Sequence, residues 1–292
     1  MPVPSRFRAV LTAAALLVAA LPAAPSRAQS LPVWEVGLGL GVISVPFYRG
    51  ADAGRSYAFP VPYLKYRGRY LQVDEGGLRG KLFTSDRLLL DISVAAGVPV
   101  PASRDGARAG MRELHPTLEI GPQLEYRLWR VRDRDAAVWL HLPLRAAFSV
   151  NWNEFDDQGW VLAPFVEYET RGAGPGGPWK VGVGAGPLFA TGGYHDYFYE
   201  VLPGQATAAR PEYHADGGYS GSRLTLTAQK RYGDWWIGGF ARLDSLSGAV
   251  FEDSPLVREN YYYAAGLAVS RLLATSRENV EVDLHLSRTD RE

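Results

Sequence analysis

The sequence predicts an all-β protein: an antiparallel transmembrane β-barrel of about 12 strands (10 to 14) with a polar interior. Three observations predict it. The first is the stretch Leu114–Trp129, where Leu118, Ile120, Leu124, Tyr126 and Leu128 fall on one side and Thr117, Glu119, Gln123, Glu125 and Arg127 on the other. A period of two is an extended strand with one apolar and one wet face. Its sixteen residues exceed the usual ~5–6 of globular strands and the ~9–11 that a tilted strand needs to cross a bilayer. The second is that connections between such stretches alternate between short and long, as in outer-membrane barrels. The third is the opening of the chain. Residues 1–28 read as a secretory signal, with Arg6 and Arg8 ahead of the apolar run Ala9–Ala20 and a small-x-small site at Ser26-Arg27-Ala28. The mature protein is expected to begin near Gln29 as one barrel domain over residues 29–292. After the signal no window of 18 apolar residues occurs, so strands rather than helices would do the spanning.

The elements follow in order. Trp34–Val42 sets Trp34, Val36, Leu38, Leu40 and Val42 against Glu35, Gly37, Gly39 and Gly41. Its glycine spacing resembles a dinucleotide loop, but no helix follows and the alternation continues, so small inward residues in a crowded barrel are the better reading. Tyr57–Tyr66 comes next, and Arg69–Phe83 divides at Glu75-Gly76-Gly77 into a hairpin. Leu88–Ala96, Leu114–Trp129, Val138–Val150, Trp160–Tyr168, Trp179–Phe189, Arg223–Arg231, Trp235–Leu246 and Tyr261–Arg271 complete a count of twelve strands. An even number keeps both termini on one side of the membrane, and the hairpin at residues 75–77 is what makes the number even. Long connections are expected at Phe47–Ser56, Pro99–Glu113, Asn151–Gln158, Thr191–Ser220 and Ser247–Asn260. Asn279–Ser287 alternates as well, and residues 274–292 are either an extension or one strand too many.

Composition narrows the function. Removing residues 1–28 takes away Arg6, Arg8 and Arg27 and no acid, leaving 28 basic against 31 acidic residues. Nothing in that balance points to nucleic acid. Cysteine is absent, which excludes disulfides and thiolate metal sites. The side chains expected to face the lumen are Glu35, Glu119, Gln123, Glu125, Arg127, Arg145, Arg223, Arg242 and Asp244, with His141 and Lys180 among them. Mixed charges of this kind either line a pore or pair up and plug it. His141 and Ser149 share the inner face but lie roughly 26 Å apart along an extended strand, too far for a nucleophile and its base. His195, Asp196, His214 and Asp216 gather in the Thr191–Ser220 loop, where a polar loop packed by its own tyrosines is expected rather than a metal or catalytic site. The acids Asp52, Asp156, Asp157, Glu252 and Asp253 are read as solvated loop residues. No cofactor and no metal are expected.

Several segments together resemble the MltA-interacting protein (MipA/OmpV) family of Gram-negative outer-membrane proteins. Tyr48-Arg49-Gly50-Ala51-Asp52 is similar to its first-loop pattern through Tyr48, Gly50 and Asp52. Pro62-Tyr63-Leu64-Lys65-Tyr66 resembles its second strand through Pro62, Tyr63 and Tyr66. Tyr197–Val201 with Tyr213–Gly218 resembles its long loop, and Asp253-Ser254-Pro255 followed by Leu256-Val257 its last one. The resemblance runs in order from about Trp34 to Arg271; the chain departs from the family in ending on Glu292 rather than on an aromatic-terminated strand. It implies a non-enzymatic protein of the outer membrane, in contact with its lipid and lipopolysaccharide. The implied role is a scaffold that joins a murein lytic transglycosylase to a penicillin-binding protein. A channel for small solutes or ions and a surface adhesin are the alternatives.

Overall fold

A computed structural model describes residues 29–67, 71–74, 77–80, 83–85, 87–102, 106–131, 135–151, 154–175 and 177–282. The signal-like residues 1–28 and the end of the tail, residues 283–292, lie outside that set. The strands are β1 (Gln29–Pro32), β2 (Trp34–Pro46), β3 (Gly54–Arg67), β4 (Leu71–Asp74), β5 (Gly77–Gly80), β6 (Phe83–Thr84), β7 (Leu88–Gly97) and β8 (Thr117–Val131). They continue with β9 (Ala136–Asn151), β10 (Glu154–Leu162), β11 (Phe165–Gly174), β12 (Gly177–Ala190), β13 (Gly218–Tyr232), β14 (Trp235–Ser245), β15 (Tyr261–Thr275) and β16 (Asn279–Val282). One helix, α1 (Gly192–Tyr199), interrupts the longest loop.

Every pairing is antiparallel, and β2 to β15 form a single fourteen-stranded sheet. Those strands occupy twelve positions around a closed barrel. β5 and β6 are two pieces of one strand, which pairs with β4 on one side and lies along β7 on the other. β10 and β11 are likewise two pieces of one strand, both paired to β9 and to β12. The break falls at Ala163-Pro164, because proline has no N–H to give the ladder. β4 and β5 pair antiparallel up to Asp74↔Gly77, so the strand break expected at Glu75-Gly76-Gly77, itself largely outside the described residues, keeps the count even.

Three expectations change. Asn151–Gln158 is not a long loop: β9 and β10 pair up to Glu154↔Asn151, and Asp156 and Asp157 belong to β10. The bulge that ends this stretch is held by Gly159 N–H donating to Asp157 Oδ1 at 2.8 Å. The last barrel strand, β15, continues to Thr275 rather than stopping near Arg271. The tail is not a thirteenth barrel strand, since β16 pairs only with β1. That ribbon prolongs the β2–β15 pair beyond the rim, bridged by Val33 N–H to Glu278 O at 3.0 Å and Ser276 N–H to Trp34 O at 2.9 Å.

Burial alternates along the strands as a barrel requires. Leu38, Leu40 and Val42 of β2 are exposed on the outside. Glu35 and Gly41 lie on the opposite, buried face. Gly39 shows why the inward face of β2 carries glycine. A Cβ there would lie 2.0 Å from the Val269 carbonyl oxygen and 2.4 Å from the Ser270 Cα, inside contact distance of a neighbouring backbone. No helix among the described residues is long and apolar enough to cross a membrane. The connections after β3, β6, β8, β11 and β13 and both ends of the described chain lie at one rim; the loops 47–53, 98–116, 191–217 and 246–260 lie at the other, together with the tight β4–β5 and β9–β10 connections.

Candidate functional site

A hydrophobic core has formed where the sequence suggested only loops. Phe47, Tyr48, Ala51, Val100, Met111, Leu114, Tyr197, Tyr199, Val201, Leu246, Phe251 and Leu256 pack into one buried cluster drawn from all four long loops. The amount of apolar surface removed from water explains why these loops are ordered. Together they make a cap over the barrel mouth.

Helix α1 is the centre of the cap, and its aromatic residues face in several directions. A helix apolar on most sides is stable only when buried. Tyr199 stacks on Phe251 with ring centres 3.9 Å apart. The tyrosine hydroxyls then fasten the helix to three other parts of the chain. Tyr197 donates to His115 O at 2.8 Å, Tyr199 to Arg49 O at 2.8 Å, and Tyr194 to Glu119 Oε1 on the inner face of β8 at 2.9 Å. Burial, followed by the neighbouring Glu119 charge, pushes the Tyr194 phenol well above its ordinary value, so it remains a donor. Arg210 reaches Ala107 O and Ala109 O at 3.0 and 2.9 Å, a second tie between loops 191–217 and 98–116.

The residues that resemble family motifs meet here in part. Tyr48 donates to Leu256 O at 2.9 Å, and Ser254 to Tyr199 O at 3.0 Å, both side chains being buried. Gly50 has φ +91°, and its carbonyl accepts from Arg258 N and Glu259 N at 2.7 and 3.1 Å. A β-carbon there would be strained in backbone and would press on Leu246 Cδ1 at 2.8 Å. Pro255 is half-buried beside this cluster, whereas Asp52 and Asp253 are exposed. Pro62, Tyr63 and Tyr66 lie apart on β3. Tyr63 is buried against Trp236 with ring centres 5.8 Å apart, and Pro62 and Tyr66 are on the outer surface.

Beneath the cap the barrel is crossed by ion pairs. Asp244, fully buried, accepts from Arg223 Nη2 at 2.7 Å, from Arg49 Nε at 3.1 Å and from the Tyr262 hydroxyl, with Arg242 Nε at 3.9 Å. Arg49 is a cap residue, so this cluster latches loop 47–53 to the wall. Glu119 accepts from Arg145 Nε at 2.9 Å. Further down, His141 lies 3.3 Å from Glu125 and 3.2 Å from Glu167 and stacks on Phe165 at 4.3 Å. Gln123 donates to Glu125 at 2.7 Å, and Arg127 sits 5.7 Å from the Trp139 ring. Near the short turns, Glu35 is clasped by Arg67 and Arg231, each at 2.5 Å, and Glu169 by Arg171 at 2.5 Å and Lys180 at 2.6 Å. Charges taken out of water need such partners, because an unpaired one costs several kcal/mol.

The nine expected lumen-facing residues are buried or half-buried, and several meet partners outside the expected set: Arg49 and Tyr262 at Asp244, and Arg67 and Arg231 at Glu35. Arg49 and Tyr262 looked like loop and strand-end residues. Glu167 lies on the inward side of the expected strand Trp160–Tyr168, whereas Glu169 and Arg171 belong to its continuation to Gly174, where the sequence suggests a short turn from Arg171. His195 is not part of an exposed cluster. Its Nδ1 donates to Asp216 O at 2.6 Å and its Nε2 accepts from Ser220 Oγ at 2.7 Å. Serine and histidine are thus paired, but both are buried and the orienting group is a backbone carbonyl, so the pair acts as a clamp within the cap.

Burial holds the His195 imidazole below its ordinary value near 6.5, against the pull of the Asp216 hydrogen bond. A histidine kept neutral by folding gives stability that is fully present above the unfolded value, near pH 6.5. That stability is lost as the pH falls through the window down to the folded value. The protection factors of amides over 192–220, which already allow for the slower intrinsic exchange at low pH, are accordingly expected to fall on acidification from pH 7 to 5. His195→Gln should flatten that dependence; an unchanged slope in the variant would place the pH response elsewhere.

A search of curated proteins returns no match. A family model described as MltA-interacting protein MipA matches residues 38–272, from the fifth residue of β2 to near the end of β15. That span takes in both the barrel wall and all four loops of the cap, and the chain belongs to the MltA-interacting protein MipA family.

Proposed function

We propose that the protein is a non-enzymatic outer-membrane scaffold that holds a murein lytic transglycosylase of the MltA type close to a murein synthase. The observation that supports this reading is the family match across residues 38–272, whose description names MltA as the interaction partner. Membrane residence is supported by the outer surface. Leu38, Leu40, Val42, Val94, Ile120, Leu144 and Leu267 are large apolar side chains exposed on the outside of five strands, as a lipid-facing wall would have them. Exposed aromatic rings flank it on both sides: Trp129, Tyr232 and Trp235 towards the short turns, and Phe155, Trp160, Tyr261 and Tyr263 towards the long loops. Such girdles belong at the two bilayer interfaces.

The charged interior is what a channel would need, but the cap and the crossing ion pairs favour a closed body over an open pore. Two measurements test this. Purified protein in planar bilayers is expected to give no reproducible unitary conductance; steady steps would replace the scaffold reading with the channel one. Mild cross-linking in cells followed by solubilisation is expected to recover a lytic transglycosylase with the barrel. Recovery of neither transglycosylase nor murein synthase would remove the scaffold.

A further inference from the structure

On the outer side of the cap, Asp196, Glu200 and His214 turn three ligand atoms towards one point. His214 Nδ1 lies 3.1 Å from Asp196 Oδ1 and 3.6 Å from Glu200 Oε1, and all three atoms lie within 4.8 Å of one another. Two ligand atoms about an ion with bonds of ~2.0–2.2 Å are roughly 3.0–3.5 Å apart, so the first separation already fits and the second is just beyond that range. The third, within 4.8 Å, would shorten on binding.

The backbone holds this arrangement in place. Asp196 lies in α1 and Glu200 caps its C-terminal end, where the Glu200 N–H donates to Asp196 O at 3.1 Å and keeps the two residues together. His214 is brought opposite by the residues on either side of it. Tyr213 exchanges both backbone hydrogen bonds with Val201, at 2.9 and 3.1 Å, and Ala215 N–H donates to Asp196 Oδ1 at 2.8 Å. Between two pinned neighbours, the His214 side chain itself is 72% exposed and open to solvent. The Asp196 carboxylate keeps its remaining lone pairs after meeting Ala215, and that hydrogen bond orients it as outer-shell contacts orient metal ligands. The surroundings are acidic too, since Asp216 and Asp253 lie close enough to act on Tyr213 alongside its burial.

We infer that Asp196, Glu200 and His214 form a binding site for a divalent transition-metal ion of the zinc or manganese kind. One imidazole nitrogen with two carboxylates fits these ions better than calcium or magnesium, which favour all-oxygen sets. The bound ion would clip α1 to the returning strand of the long loop and leave further positions for water. It would tighten the cap from outside, on the face opposite the membrane-embedded wall.

The test is a calorimetric titration of untagged, chelator-stripped full-length protein in detergent micelles with zinc chloride and, separately, manganese chloride. One equivalent is expected to bind, with His214→Ala and Glu200→Gln each weakening the affinity at least about tenfold, the scale on which even outer-shell changes act. Bound ion is also expected to slow proteolysis within 191–217, in the wild type and not in His214→Ala. The site does not exist if neither ion binds, if both variants bind as the wild type does, or if calcium binds while zinc and manganese do not. Since both variants change side chains with solvent access, far-ultraviolet circular dichroism and heat-modifiable gel migration should match the wild type. A variant that loses the barrel signal is replaced by His214→Gln. None of these readouts depends on whether the protein acts as a scaffold.

Discussion

Asp244→Ala is expected to lower the stability of the folded barrel by about 3–5 kcal/mol, the cost of stripping one partner from a buried charge cluster. Asp244 is fully buried and serves Arg223, Arg49, Arg242 and Tyr262 at once. Its loss leaves three guanidinium groups facing one another with no carboxylate between them. The effect should spread in a defined way, because Arg49 belongs to the cap. Loop 47–53 should open to protease first, and α1 should follow, since Tyr199 hangs on the Arg49 carbonyl at 2.8 Å. Equilibrium urea unfolding in micelles, with gel migration as the barrel readout, measures the cost. A loss under about 1 kcal/mol is what water-screened pairs show. That result would mean the interior is solvent-filled, and it would favour conduction over a closed body.

Leu40→Arg is the second large effect, at about 2–4 kcal/mol for a basic residue on the lipid face near the midplane. Leu40 sits in the middle of β2, is 73% exposed, and has Pro60 and Val269 as its cross-strand neighbours. In water an arginine on so exposed a site would cost almost nothing, so the size of the change reports whether lipid surrounds the wall. Gln123→Arg is the control. Its side chain is on the inner face beside Glu125 and is paired in register with Asp91, where a new cation finds acceptors. Unfolding in lipid vesicles should separate the two variants clearly; a larger cost for Gln123→Arg would mean that the faces are exchanged, and equal small costs would mean that lipid does not surround the wall.

How much of this was legible in the residues varies by element. Leu114–Trp129 and Val138–Val150 were placed to within a few residues, because a barrel wall imposes a strict period of two and each strand carries its own signal. The hairpin at residues 75–77 was legible from its Gly-Gly turn, which fixed the even count. Asn151–Gln158 was misread because Asp156, Asp157 and Gln158 look like loop chemistry. A hairpin that projects past the rim tolerates such residues on both faces. β1 was missed since four residues carry no period of their own, and only pairing with β16 defines it.

The candidate site divides along the same line. The acidic and basic residues of the inner face were visible as inward positions, because inward and outward are a property of a single strand. Their partners were not, because register and closure decide which charge meets which. Glu35 on β2 and Arg231 on β13 are 196 residues apart and meet only once the ring is closed. The cap went unforeseen for a related reason. Its core takes a few aromatic residues from each of four loops, and no one loop holds enough of them to show a pattern.

By itself the sequence determined the barrel: the alternation, the strand number and the two chemically different faces, all of which are local. The tertiary structure alone decided that the mouth is capped, that the inner charges are neutralised in pairs, and that Asp196, Glu200 and His214 converge. Those are long-range facts, set by which strands are neighbours and by the burial that four loops achieve only together.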